Sequence, residues 1–134
     1  MKLSLASSYA LRAVVHLAQG KSDQSVPSHV IAHSGGMPER FLVKLLKSLV
    51  NADILHSIKG SHGGFRLAHT PEDISVLDVI EAVDGPIRSQ VPTTAGSGNA
   101  IIDKRLDAVC QKVAELVRGI LRKVSITDLA GKGK

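Results

Sequence analysis

Aromatic side chains are nearly missing from this chain: among 134 residues there are two Phe, one Tyr and no Trp. A core built around large rings is therefore excluded, and Leu, Ile, Val and Ala packed between helices must supply it. Cysteine is almost as scarce. The single thiol, Cys110, rules out an internal disulfide and fits a reducing, cytoplasmic setting. No stretch approaches the roughly 18 consecutive apolar residues of a membrane span. The segment after Met1-Lys2 is broken by Ser7, Ser8, Tyr9 and Arg12, unlike a secretory leader. The expectation is a soluble protein with no membrane partner.

Acidic residues are also scarce, but only in one half. Residues 1–68 hold eight Lys/Arg against three Asp/Glu, a net of +5, whereas residues 69–134 hold nine of each and cancel. The whole excess of positive charge lies N-terminal, where an anionic partner such as nucleic acid would meet it; a merely solvated basic face is the plainer alternative.

With 43% hydrophobic residues the chain can bury a modest core, and its length suits one domain. Ala6, Ala10, Ala13, Val14, Leu17 and Ala18 recur at helical spacing, and Gly20 ends that stripe. Pro27 opens a second, short helix through Val30, Ile31 and Ala32 to about Ser34, and Gly35-Gly36 predicts a tight turn. Pro38 fits the first turn of a third helix. On it Phe41, Leu42, Leu45, Leu46, Leu49 and Val50 share one side, and Arg40, Val43, Lys44, Lys47 and Asn51 the other. One face is core and the other basic, with Glu39 the only acid at its edge.

Ile54 and Ile58, then Phe65 and Leu67, flank Lys59-Gly60-Ser61-His62-Gly63-Gly64, which predicts a β-hairpin with a basic, glycine-rich tip. Ser75 and Asp78 resemble a capping box before a fourth helix through Val83, ended by Asp84-Gly85. The Ser-, Thr-, Gly- and Pro-rich run after Pro86 predicts a mobile loop. Beyond it, Ile102, Leu106, Val109, Val113, Leu116 and Ile120 alternate steps of four and three, the seam of paired helices. A small domain has little use for so long an apolar seam unless a second copy covers it. Val124, Ile126 and Leu129 suggest a last short turn before a polar tail.

The predicted fold class is thus mainly α with a small β-hairpin, a winged helix-turn-helix with a long C-terminal dimerisation helix. Residues 1–86 form the DNA-binding unit, 87–100 a flexible loop, and 101–134 the dimerisation helix and tail. The dimerisation residues are Leu106, Val109, Val113, Leu116 and Ile120.

Ser8-Tyr9-Ala10-Leu11-Arg12-Ala13, the Phe41-Leu42 helix, the wing Lys59 to Ala68 and Val79-Ile80-Glu81-Ala82-Val83-Asp84-Gly85 together closely resemble the Rrf2 family of winged-helix transcription regulators, which includes IscR, NsrR and CymR. The resemblance implies a homodimer on double-stranded DNA. It places Arg40, Phe41, Val43 and Lys44 on the recognition helix and Lys59, Ser61, His62 and Gly63 at the wing. Cluster-bearing relatives hold a [2Fe-2S] group with three cysteines before the long helix. Residues 87–100 contain neither Cys nor His here, so the resemblance is to a clusterless member with no cofactor, and its effector, small molecule or protein, is not specified.

Arg40 and Lys44 have the reach and chemistry for guanine edges or phosphates, whereas Lys47 suits a phosphate. Lys59 could clamp a phosphate or enter a minor groove, with the glycines allowing close backbone approach; a plain hairpin turn is the alternative. Cys110 reads as an inert helix cysteine before a redox switch. His29 and His33 have metal-pair spacing but no third ligand in view. No nucleophile, base and orienter coincide, so an enzyme is not expected. The leading reading is a homodimeric, sequence-specific DNA-binding transcription regulator. The alternative is a winged-helix ligand-sensing or interaction module acting mainly through a protein partner.

Overall fold

The computed structural model describes residues 1–92 and 100–131. Helix α1 (Leu5–Gln19) begins where the Ser4 hydroxyl accepts from the Ser7 N–H, satisfying one of the free donors of the first turn. Its Ala10 and Ala13 are fully buried, and small side chains there let neighbouring helices approach closely. Helix α2 (Ser28–Gly35) packs on it, followed by α3 (Glu39–Asn51).

The turn between α2 and α3 is made by one glycine rather than two. Gly35 is the last helical residue, whereas Gly36 sits at φ 64°, ψ 34°. The next N–H, of Met37, reaches back to the Ala32 carbonyl at 2.9 Å, a Schellman closure that drops Met37 into the core. Pro38 also lies one position earlier than expected. Its ψ of 125° is extended, so it caps α3 instead of entering its first turn. Along α3, Leu42, Leu45, Leu46 and Leu49 are buried, as the helical period requires.

Strands β1 (Leu55–Ile58) and β2 (Gly64–Leu67) form the antiparallel wing, with Leu55 opposite Leu67 and Ile58 opposite Gly64. A 3₁₀ turn (Pro71–Asp73) leads to α4 (Val76–Asp84), where Ser75 and Asp78 form a reciprocal capping box. Helix α4 is fastened to α1 at Asp84, whose carboxylate accepts from the hydroxyls of Ser4 and of buried Ser7, each at 2.6 Å.

Helix α5 runs from Ala100 to Arg122, so Ala100 opens the helix instead of ending the preceding loop. The expected loop falls partly outside the described residues, at 93–99. Of the residues of α5 only Ala114 is buried. The segment after α5 folds back onto the core. The Ser125/Asp128 capping box starts α6 (Ile126–Ala130), and Ile126 is fully buried in the same core as α1 and α3. Two backbone bonds of 2.8 Å, from Val76 N–H to the Val124 carbonyl and from Ile126 N–H to the Ile74 carbonyl, stitch this return to the start of α4. A buried isoleucine repays such a return because its burial alone is worth roughly 1.5–3 kcal/mol.

Candidate nucleic-acid interface

Arg40, Lys44 and Lys47 follow one another at four- and three-residue steps on α3, and all three are exposed, with half-buried Val43 beside them. Among the described residues none of them has a carboxylate within ion-pair distance. The nearby acid, Glu39, is engaged elsewhere, since its carboxylate accepts from the Ser28 hydroxyl at 2.8 Å and joins the starts of α2 and α3. The face is therefore cationic without internal compensation, which is what an array of phosphates needs from a protein surface.

Phe41 belongs to a different environment. Its ring meets Tyr9 of α1 edge-to-face, with centroids 5.7 Å apart and planes at 70°, so it wedges α3 against α1. The contact fixes how α3 sits against α1.

At the wing, Lys59, Ser61 and His62 are exposed at the tip. The glycines are there for close approach. A Cβ at Gly63 would lie 2.3 Å from the Ile58 carbonyl oxygen, and one at Gly64 would lie 2.4 Å from the Val26 backbone. Gly64 lets Phe65 exchange two 2.9 Å backbone bonds with Val26, and the Ser25 hydroxyl donates to the His62 carbonyl at 2.8 Å. These anchors at Ser25 and Val26 were absent from the sequence expectation, because an isolated bridge leaves no periodic signal.

The seam of α5 lies elsewhere and is uncovered: Leu106, Val109, Val113, Leu116 and Ile120 are 48–69% exposed. Helix α5 is held to α4 by Arg118, whose Nε donates to Glu81 at 3.0 Å. That hydrogen bond holds the Glu81 carboxyl below its usual range, opposed by partial burial and helped by the Ile87 N–H. Cys110 is exposed on α5. His29 and His33 are exposed on α2, and among the described residues no three His, Cys, Asp or Glu side chains are grouped to hold a metal ion. No described helix is long and apolar enough to cross a membrane.

The family model described as "Iron-dependent Transcriptional regulator", Rrf2, matches residues 3–132. The chain belongs to the Rrf2 family. It is 30% identical to the protein rrf2 of Nitratidesulfovibrio vulgaris over 97% of this chain and 85% of that one. It is 32% identical to the helix-turn-helix regulator CymR of Bacillus subtilis over 65% of this chain and 63% of that one. The solved structure of B. subtilis CymR superposes with a TM-score of 0.76 at 26% identity, covering 100% and 99% of the two chains. That of T. potens IscR superposes at 0.73 and 27%, covering 96% and 85%. This Rrf2 member is a DNA-binding transcription regulator, a role without enzymatic chemistry.

A [2Fe-2S] cluster does not fit its donor set. Such clusters are held mainly by thiolates, and the chain has one cysteine in all, with neither Cys nor His from 87 to 100.

Proposed function

We propose that two copies of this Rrf2 protein, joined along α5, bind a pseudopalindromic operator in the bacterial cytoplasm. Each presents α3 to a major groove and the wing to the flanking backbone. In this reading Lys44 and Lys47, with Lys59, Ser61, His62 and the Gly63 backbone at the wing, supply mostly phosphate contacts and hence affinity, while Arg40 reads a base edge. Val43 offers an apolar contact beside Arg40, and Phe41 acts through the angle of α3. The functional units are the winged unit, residues 1–86 with the return at 124–130, and the α5 helix between them.

The observation that carries this reading is the set of three exposed cations on α3, none with a carboxylate within ion-pair distance among the described residues. The exposed seam supports the dimer, since a contiguous apolar stripe of this length is rarely left to water. Gel shifts on the promoters of its own and neighbouring genes, at two salt concentrations, test it. Specific retention that weakens steeply with salt is expected; promoter and random DNA held equally weakly would overturn it.

A further inference from the structure

A cleft of about 420 Å³ opens where the N-terminal arm, the end of α4, the strand of chain from Pro86 to Gln90 and α5 come together. This is within the size range of small-molecule sites. Its apolar lining comes from Ile80, Ile87, Ala114 and Val117. One acid, Asp84, lines it, and its Oδ2 already accepts two serine hydroxyls. Two basic side chains line it, Lys2 and Arg88, and among the described residues neither has a carboxylate within ion-pair distance. An apolar floor beside two basic side chains without an ion-pair partner, against a single carboxylate, favours one class of guest, an anion with an apolar body. Arginine in particular matches a carboxylate with two parallel hydrogen bonds.

We propose that this cleft binds a small organic monocarboxylate, with its apolar body against Ile80 and Val117 and its carboxylate at Arg88 and Lys2. The guest touches α4, which belongs to the winged unit, and α5, which carries the seam. The Ile87 N–H donates to Glu81 at 2.9 Å, the same carboxylate that receives Arg118, so the wall of the cleft and the α4–α5 tie share one acceptor. Val113 of the seam stands at the rim, so a second copy would narrow the mouth. Occupancy is thereby coupled to the angle between α5 and the winged unit, and in a dimer to the separation of the two α3 helices. This regulatory consequence rests on the proposed function; binding itself does not.

Calorimetric titration of the full chain with benzoate and hexanoate, against benzyl alcohol and hexylamine, tests the proposal without DNA. Saturable binding of the acids and not of the alcohol or the amine is expected. Arg88→Glu and Lys2→Glu should each weaken it by about tenfold or more. Lys21→Glu, an exposed change outside the cleft, should leave it unaltered. The proposal is overturned if no acid saturates into the millimolar range, if the alcohol binds as well as the acid, or if Arg88→Glu keeps full affinity. It is equally overturned if the acids fail to bind and Arg88→Glu changes the sedimentation of the dimer, since a second copy then fills the cleft. Specific operator binding without acid binding would sink this inference alone. Acid binding by a chain that holds no operator would sink the proposed function and leave the cleft standing.

Discussion

Helices α3 and α5 are both amphipathic and meet opposite fates. The four leucines of α3 are no more than 6% exposed, covered by α1, α2 and α4, whereas the five seam residues of α5 remain about half to two-thirds exposed. The polar side of α3 is almost purely cationic; that of α5 mixes signs, with Asp103, Asp107 and Glu115 among Lys104, Arg105 and Lys112. An apolar stripe states that a helix will be covered, without stating by which chain. The charge on its far side suggests what else it meets. In the proposed reading, one helix turns its apolar face to the fold and its polar face to DNA, and the other keeps its apolar face for assembly.

The sharpest way to break this contrast is to make matched changes in the two helices. Leu46→Ala, at a fully buried site of α3, should lower the stability of the fold by about 2–5 kcal/mol in denaturant melts. Val113→Asp with Leu116→Asp in α5 should leave the winged unit folded by circular dichroism while converting a dimer to a monomer in sedimentation. A wild-type chain that sediments as a monomer at micromolar concentration would remove the seam from the comparison.

On the other face of α3, the distinction between reading and holding comes next in size. Arg40→Ala should cost roughly 1–3 kcal/mol on the operator and relax discrimination at one symmetric base pair of each half-site. Lys47→Ala and Lys59→Ala should weaken operator and random DNA alike, each lowering the salt slope by about one unit. A folded, dimeric triple variant with unchanged affinity and salt dependence would contradict the assignment of this face.

The smallest expected effect lies where α4 meets α5. The Glu81 carboxyl is held below its ordinary range by Arg118, so its contribution is present above the unfolded-state value and fades as pH falls through the lower folded one. Glu81→Gln should therefore flatten the acid limb of a stability-against-pH curve and leave thermal melts near neutrality only slightly lowered. An acid limb of unchanged slope would show that the tie does not contribute to the fold.

Much of this was legible in order of periodicity. Leu42, Leu45, Leu46 and Leu49 lie at helical spacing and are buried, and Ser75 with Asp78 caps as its spacing implies. The basic face of α3 could be drawn on a helical wheel, because it depends only on residues within one helix. What depends on distant partners was not legible. The edge-on meeting of Phe41 with Tyr9, the Val26 bridge that pins the wing and the place of Ile126 in the core join segments with no shared period. The Ser-x-x-Asp signature recurs at Ser125, yet a capping box announces a helix start and says nothing of where that helix docks.

That docking has a consequence for the chain as it is made. Translation delivers the N-terminal parts first, at about 5–20 residues per second, and a domain that needs only those parts can fold while the rest is still being added. Here the core around α1 is not complete until Ile126 arrives, after the whole of α5. The sticky stripe of α5 thus emerges ahead of the residue that closes the fold. Until that residue docks, an exposed stripe and an incompletely covered core are present on the same chain.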